Sequence, residues 1–342
     1  MTPAVGKPPR GKMPVSWCSG ALLLPLVAAL VDFVVGDPWG WLHPVQVMGW
    51  AIQRYQGWVG RRLKTPGAQR LAGIALGLGL PLLSGAIAAG TVHLMTRLHP
   101  LLGGLTAVIL FASCMAGRSL RHAAEAVLAP LSQGDLPQAR QQLSLYVGRD
   151  TAALGEAEIL RAVLETISEN AADGAIAPMF YGLVGWAIAP SVGVGVAIAY
   201  KALSTLDSMV GYRSPPYRYL GWFSARSEDV VTWLPCRLTV GAIALLSGRP
   251  RRVWHLCRRD APADPSPNAG WSECAYAAAL GVQLGGPNTY RGVITAKPLL
   301  GDPDRPITPS LIRQGLALTR AALVLTLTLG TVLLVWRYPL HC

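Results

Sequence analysis

Long apolar runs alternate with polar segments along the whole chain of 342 residues. A helix that crosses a membrane needs roughly 17 to 25 predominantly apolar residues. Six segments approach this pattern, at residues 21–35, 71–95, 101–116, 176–199, 230–246 and 316–336. Ala189-Pro190-Ser191 can break the fourth into a re-entrant hairpin, and Pro235 with Arg237 interrupts the fifth, because buried backbone and charge must be satisfied within protein. The pattern therefore predicts an all-α, polytopic integral membrane protein with four to six transmembrane helices.

The polar segments between these runs are long enough to fold as helices of their own. We expect a basic N-terminal tail over residues 1–20 and one membrane-embedded domain over residues 21–342, with polar loops at 37–70, 117–174, 201–229 and 248–315. Within the second loop the sequence predicts helices over residues 118–131 and 138–145. A long helix should then begin near Asp150-Thr151, with Asp150 as its N-cap.

The composition agrees with a membrane protein and restricts the possible partners. The chain is 51% hydrophobic and 14% charged, which lies outside the range of ordinary soluble domains. Its net charge of +12 resides mainly in the loops beside the apolar runs, which is the positive-inside pattern rather than the surface of a nucleic-acid-binding protein. We expect an inner-membrane protein without a nucleic-acid partner. The loops 37–70, 117–174 and 248–315 should be cytoplasmic, although the basic tail favours the opposite orientation.

Several familiar site signatures are missing from the sequence. Six cysteines are scattered without a CxxC pair or a histidine spacing suited to zinc. Neither a GxGxxG fingerprint that opens a helix after a strand nor a GxxxxGK[ST] phosphate loop occurs. Any nucleotide must therefore bind in a less familiar way.

The stretch "ETISENAADG" spaces the carboxylates of Glu165, Glu169 and Asp173 four residues apart. Helical projection places all three on one face, opposite an apolar face. A solvated acidic face is one explanation. However, like charges at this spacing repel, and a helix C-terminus disfavours each negative charge by roughly 0.3 to 1 kcal/mol. A bound cation would relieve both costs, and Mg²⁺ held by one or two carboxylates and substrate phosphates is the predicted ligand.

Other polar segments contain candidate binding residues. Asp37 and His43 follow the first apolar run, each before a proline, where ordinary turn formation explains them equally well. Lys201, Asp207 and Arg213 lie among tyrosines. Lys201 at the end of an apolar run can simply extend to the interface, whereas arginines beside aromatic rings can bind phosphate or stack on a planar ligand.

Two further turns are suited to anion binding. Pro267-Asn268-Ala269-Gly270 is predicted as a turn before a helix that contains Glu273 and Tyr276, and Gly285-Gly286-Pro287-Asn288 is predicted as a second turn. Backbone amides at the start of a helix bind anions.

Seven segments in this order, "DFVVGDP", "HPV", "GRDT", "ETISENAADGAIAPMFY", "YKALSTLDSMVGY", "SPNAGWSE" and "LGGPNTYRG", closely resemble the CbiB/CobD family of cobalamin-biosynthesis membrane proteins, adenosylcobinamide-phosphate synthase. The resemblance covers nearly the whole chain, from about Leu24 to the last apolar run. It implies an ATP-dependent ligase that joins the propionate carboxylate of adenosylcobyric acid to (R)-1-amino-2-propanol or its O-phosphate. The product would be adenosylcobinamide or its phosphate.

The resemblance also implies ATP and Mg²⁺ as cofactors and a role for each candidate residue. Glu165, Glu169 and Asp173 would hold the metal, and His43, Lys201 and Asp207 would be catalytic, with His43 or a carboxylate accepting the proton of the attacking ammonium. The residues expected to bind substrate or phosphate are Asp37, Arg213, Asn268, Asn288 and Arg291. The corrinoid would rest on the lipid bilayer. Self-association and contact with other membrane enzymes of the pathway are both compatible with this interpretation.

Two other classes of protein remain as alternatives. A membrane transporter would carry ionisable residues inside its spans, whereas most of the acids here lie in loops. A non-catalytic scaffold would hold soluble partners of the pathway at the membrane and would have no use for clustered acids.

Overall fold

The computed structural model describes residues 19–36, 43–212 and 214–337, so Asp37 and Arg213 lie outside the described residues. Most of the described chain is helical. The elements are α1 (Leu24–Val34), α2 (Pro44–Arg62), α3 (Pro66–Leu98), α4 (Pro100–Ala112), α5 (Gly117–Ser132), α6 (Leu136–Leu143), α7 (Glu156–Asn170), α8 (Ala177–Trp186), α9 (Pro190–Val210), α10 (Trp222–Leu246), α11 (Pro250–Asp260), α12 (Ala269–Leu280), β1 (Leu284–Tyr290), β2 (Val293–Leu300) and α13 (Pro309–Arg337).

The predicted polytopic membrane fold is confirmed. Four helical stretches of the described residues are long and apolar enough to cross a membrane, namely Pro66–Leu98, Pro100–Ser132, Trp222–Leu246 and Pro309–Trp336. The fifth predicted run lies within α10, which continues through Pro235. The fourth run is the hairpin of α8 and α9, because the chain turns before Pro190. The first forms only a shorter apolar helix, Ala21–Val34.

Glycines allow α3 and α9 to approach closely. A Cβ atom at Gly85 would lie 2.7 Å from the carbonyl oxygen of Gly195, and a Cβ at Gly195 would lie 2.9 Å from the carbonyl oxygen of Gly85. Small residues at facing positions are the usual means of packing helices in membranes, where burial from water contributes little to association. This contact fixes α9, whose last turn carries Asp207.

Buried apolar side chains form two main clusters. The bundle core lies around Phe111, Met179 and Trp186, with contributions from α1, α3, α4, α8 and α9. The loop core lies around Leu128, Leu164 and Tyr276, with contributions from α5 to α7 and α10 to α12. Helix α13 contributes its first turns to the loop core and its last turns to the bundle core. The polar loops thus pack as a helical body around α10 and the first turns of α13, two of the helices that are long and apolar enough to cross a membrane.

The loops 117–174 and 248–315 pack on each other. The Asp150 amide donates to the Thr289 carbonyl at 2.8 Å, and the Ser272 hydroxyl donates to the Ser168 carbonyl. The loop 37–70 ends beside the loop that precedes α10, where the Arg70 guanidinium lies over the rings of Tyr219 and Trp222. These contacts are compatible with polar loops on one side of the membrane; that this side is cytoplasmic stays a prediction.

A β-hairpin of β1 and β2 is the main addition to the predicted helices. The prediction of a turn at residues 285–288 is wrong, because these residues belong to β1. The chain turns instead at Arg291 and Gly292, where φ is 50° and 76°, as in a two-residue type I′ turn. Gly285 (φ 86°) lies at a break in strand register, where a Cβ would be 1.9 Å from the Pro298 carbonyl oxygen. Only glycine fits there.

The long acidic helix begins later than predicted. Helix α7 starts at Glu156, and the Glu158 carboxylate accepts a hydrogen bond from the Gly155 amide at 2.8 Å. Asp150 is therefore not its N-cap. The Asp150 carboxylate instead accepts hydrogen bonds from the backbone amides of Arg291 at 3.1 Å and Gly292 at 2.7 Å, and so holds the tip of the β-hairpin.

The acidic helix also does not end at Asp173. A π-helical segment, Ala171–Ile176, carries the chain from α7 directly into α8. The expected dipole cost at Asp173 is therefore wrong, because no free helix terminus lies there. Single π turns widen a helix locally and are frequent at functional sites. Here the turn contains the last acid of the predicted stripe.

We expect Gly85→Ala to lower the free energy of unfolding by about 1 to 3 kcal/mol, because the added methyl group would overlap the α9 backbone. Heat- or SDS-induced unfolding of the purified protein in detergent measures this change.

Gly79→Ala is the matched control on the same helix, since a Cβ there has open space. It should be neutral or stabilise the helix by up to about 1 kcal/mol. Equal effects of the two substitutions would contradict the close α3–α9 contact.

Candidate functional site

A cavity of about 540 Å³ lies where the loop core meets the membrane helices. This volume is within the roughly 300–1,000 Å³ of typical small-molecule sites. Its wall combines the end of α7, the π segment, the end of α9, α10, the turn before α12 and the hairpin. The carboxylates on this wall are those of Glu169, Asp173, Asp207, Glu228, Asp229 and Asp264. Among the described lining residues, Lys297 supplies the only cationic side chain.

Glu169 and Asp173 are the two members of the predicted stripe that face the cavity. Solvent reaches Glu169 through the cavity. The surrounding protein nevertheless removes much of the water around its carboxylate, and this desolvation raises its pKa. Burial raises the pKa of Asp173 to about 7, and the nearby Glu169 carboxylate raises it further while Lys201 opposes the change. Both groups therefore hold protons more tightly than free carboxylic acids.

Two carboxylate oxygens on the cavity wall lack hydrogen-bond partners. Asp173 Oδ1 and Asp264 Oδ2 are buried without a partner among the described residues. The other oxygen of Asp264 accepts a hydrogen bond from the Ser266 amide at 2.8 Å. A buried polar atom without a partner is costly, so both oxygens are suited to binding a cation or a donor group of a ligand.

The structure does not bring the three predicted metal ligands into one set. Within the described ranges, no three His, Cys, Asp or Glu side chains are arranged to hold a metal ion by themselves. Glu165 does not line the cavity: it is 2% exposed and pairs with the Arg149 guanidinium, while its other oxygen accepts from the Gly285 amide at 3.0 Å. Glu165 thus fastens α7 to the hairpin.

Asn288 belongs to the same fastening. Its side-chain oxygen accepts hydrogen bonds from Arg149 at 2.8 Å and Arg161 at 3.1 Å. Arg161 also donates to the carbonyl oxygens of Gly285 and Pro287. The predicted ligand-binding residue Asn288 does line the cavity, but its carbonyl oxygen is already used to hold the hairpin in place.

The hairpin in turn positions Lys297. Its ammonium donates to Glu273 Oε1 at 2.5 Å, and Glu273 is fully buried. Burial raises the pKa of Glu273 to about 8, against the opposing effect of Lys297. Burial alone would lower the pKa of Lys297, but the carboxylates of Glu273 and Glu169 outweigh it and keep this pKa above its ordinary value. Lys297 therefore remains charged beside the acidic wall.

Lys201 and Asp207 lie on α9, close to the predicted stripe of acids. The Lys201 ammonium lies 3.5 Å from the Gly174 carbonyl oxygen, next to Asp173. Asp207 lines the cavity one turn before the end of α9. Asn268 also lines it, and its amide donates to the Asp229 carbonyl at 2.9 Å, which holds the turn before α12 against α10.

Two predicted site residues lie elsewhere. His43 is the N-cap of α2, where its Nδ1 accepts a hydrogen bond from the Val45 amide at 3.2 Å. Arg291 is exposed at the tip of the hairpin. Neither is among the residues that line the cavity.

Five ionisable residues at or beside the described cavity were not predicted as site residues, namely Glu228, Asp229, Asp264, Glu273 and Lys297. Glu228 and Asp229 carried a usable signal, since two acids inside a long apolar helix are expensive unless they serve a function. Asp264 and Lys297 lie in loop and hairpin segments and carried none. They reach the cavity only through the packing of the loop core.

Comparisons with known proteins agree with the resemblance seen in the sequence. The chain is 51% identical over 316 residues to "Cobalamin biosynthesis protein CobD" of Synechocystis sp., covering 90% of this chain and 92% of the relative. It is 40% identical over 319 residues to "Cobalamin biosynthesis protein CbiB" of Salmonella typhimurium, covering 92% and 95%. It is 41% identical over 322 residues to the CobD protein of Geobacter metallireducens, covering 92% and 96%.

No solved structure matches the chain. Residues 25–319 match the family described as "CobD/Cbib protein". Because this match and the relatives both extend over most of the chain, the protein belongs to the CobD/CbiB family.

Proposed function

We propose that this protein acts in cobalamin biosynthesis as an ATP-dependent ligase, an adenosylcobinamide-phosphate synthase. It would join a propionate carboxylate of adenosylcobyric acid to the amine of (R)-1-amino-2-propanol or of its O-phosphate. The names of the relatives support the pathway. The acidic cavity at the junction of the loop core and the membrane helices is the single observation that supports the chemistry.

The chemistry needs both positive and negative groups at one place. A carboxylate accepts an amine only after activation. Transfer of the γ-phosphoryl group of ATP to the carboxylate, with release of ADP, would provide this activation if the charge on the phosphates is neutralised, and the amine would then displace phosphate. The amine arrives as an ammonium ion, which carboxylates bind and deprotonate. The described part of the cavity wall, with six carboxylates beside Lys297, has groups for both tasks.

Mg²⁺ is compatible with the side chains of the cavity. The donor set consists of hard carboxylate oxygens, two of which have no hydrogen-bond partner among the residues that the structure describes. Mg²⁺ typically uses one or two carboxylates and takes its other ligands from phosphates and water, so a preformed group of three protein ligands is not required. Glu169 and Asp173 would hold it. Bound there, Mg²⁺ would neutralise negative charge on the phosphates of ATP.

The other groups divide the remaining tasks by position. Lys297 would bind a phosphate oxygen, since it stays charged and faces the cavity. A carboxylate on the α9 or α10 side, Asp207 or Glu228, would accept the proton of the attacking ammonium. His43 is not expected to do so, because it does not line the cavity.

The mouth of the cavity is suited to an amphipathic substrate. Tyr212 and Tyr290 line the cavity and are 53% and 41% exposed. Aromatic rings with a polar end are suited to a boundary between apolar and wet surroundings. The corrinoid would rest there on the bilayer surface with one propionate directed inward. In this proposal the protein would lie in the inner membrane with its polar loops in the cytoplasm.

Glu169→Gln should lower the rate of amide formation by about 100-fold or more, because it removes charge from the proposed metal site and keeps the size of the side chain. Formation of the amide from purified protein, ATP, Mg²⁺ and both substrates measures it.

Glu156→Gln is the matched control, since Glu156 lies on the same helix, exposed and away from the cavity. Its rate should equal that of the wild type. A fully active Glu169→Gln protein would show that the metal site lies elsewhere.

Stabilisation of the fold by Mg²⁺ should increase as the pH rises from about 6 to 8. The raised pKa of Asp173, about 7, means that the folded protein binds this proton more tightly than the unfolded chain does. Metal-free stability therefore falls as the pH rises toward and through 7. Mg²⁺ competes with the proton and so binds better at the higher pH. The shift of the unfolding temperature with and without Mg²⁺ measures this dependence.

Asp173→Asn should remove most of this pH dependence while Glu156→Gln retains it. A Mg²⁺ effect that is equal at pH 6 and pH 8 would contradict the assignment of Asp173.

A further inference from the structure

A second cavity, of about 360 Å³, lies away from the acidic one, between α1, α5 and α13. Its apolar lining includes Leu26, Leu30, Phe33, Leu323 and Val324. Three ionisable residues, Asp32, Arg121 and Arg320, also contribute to it. None of its residues lines the acidic cavity, so the proposed ligation does not account for it.

The second cavity crosses the boundary between the two hydrophobic clusters. Leu120 and Leu316 on its wall belong to the loop core, whereas Met115 and Leu327 belong to the bundle core. Its position therefore coincides with the junction between the loop core and the bundle core. An occupant would contact polar surroundings at one end and the hydrocarbon region at the other.

Both arginines lie at the polar end. The guanidinium of Arg121 is 5.0 Å, and that of Arg320 4.9 Å, from the centre of the Phe33 ring. In the part of the chain that the structure describes, no carboxylate lies within salt-bridge distance of either one. Two guanidinium groups converge on one ring, which leaves their donors available to an anion.

Asp32 does not cancel this charge. Its side chain is 6% exposed and has interactions of its own. A Cβ at Gly117 would lie 2.7 Å from Asp32 Oδ2, which shows how closely this carboxylate packs against the start of α5. Among the described residues of the lining, one ionisable group is negative and two are positive, so together they are net positive.

The apolar part of the cavity continues from the arginines toward the membrane. Leu26, Leu30 and Phe33 follow one face of α1, and Arg320, Val324 and Leu327 follow one face of α13. Seven residues of helix rise by about 10 Å, which covers the upper part of one leaflet of a bilayer with a core of about 30 Å. Leu30 and Val324 are 60% and 57% exposed, so the groove is open at its side.

We propose that this groove binds one anionic phospholipid, with the phosphate held by Arg121 and Arg320 and an acyl chain along α1 and α13. The charge of the two arginines, the apolar groove below them and the position at the boundary of the bundle together fit an anionic amphiphile. A soluble phosphate would use only the polar end of the cavity.

Full-length protein, delipidated in a neutral detergent and titrated with phosphatidylglycerol or phosphatidylcholine, tests this proposal by native mass spectrometry. One phosphatidylglycerol should be retained in preference to phosphatidylcholine. The Arg121→Gln, Arg320→Gln double variant should bind phosphatidylglycerol about 30-fold more weakly, since each arginine near an anionic lipid raises the affinity roughly fivefold. Inorganic phosphate should not displace the lipid.

Arg54→Gln is the matched control, because Arg54 lies 5.0 Å from the centre of the Trp50 ring but outside the groove. It should bind phosphatidylglycerol as the wild type does.

Val324→Trp fills the groove from its open side without altering charge and should also weaken lipid binding. This variant keeps the test decisive if the double variant unfolds in a thermal scan. Equal affinity for the two lipids, wild-type binding by the double variant or by Val324→Trp, or displacement by inorganic phosphate would each overturn the proposal.

Discussion

Among the described residues, six carboxylates line one cavity of a protein that is otherwise strongly apolar, and the free-energy cost of removing them from bulk water constrains the structure around them. Burial and mutual repulsion favour the protonated forms, as the raised pKa values of Glu169 and Asp173 show. Such an arrangement persists only if the surrounding protein holds it in place. The packing of α7, α9, α10 and the hairpin supplies that support.

The support is itself electrostatic. Glu165 and Arg149 form a buried pair between α7 and the hairpin, with side-chain exposures of 3% and 8%. Asn288 and Arg161 extend this contact along β1. The hairpin then presents Lys297 to Glu273 and to the cavity. Removing one member of a buried pair costs about 3 to 5 kcal/mol, so a change at Glu165 would disturb the site through the position of Lys297. Loss of activity on changing Glu165 is therefore no evidence that it binds a metal.

Periodicity and composition predicted much of the fold, because both depend on local sequence. The apolar runs predicted the membrane helices, and the proline at 190 predicted the α8–α9 hairpin. The hairpin of β1 and β2 was missed, since its glycines also fit an isolated turn and its register depends on contacts with Pro298 and Asp150. The predicted stripe of three acids was also only partly correct, because tertiary contacts decide which acids reach the cavity. Glu165 pairs with Arg149, which lies outside its helix, whereas Glu169 and Asp173 face the cavity together. Asp264 and Lys297 could not be placed without the tertiary packing that brings distant loops together.

ATP turnover by the purified protein, assayed with adenosylcobyric acid and aminopropanol phosphate separately and together in the presence of Mg²⁺, tests the proposed ligase most directly. We expect ATP turnover coupled to amide formation only when both substrates are present, with nucleotide product and amide formed in equal amounts. Amide formation without ATP, or ATP turnover that is indifferent to both substrates, would contradict it.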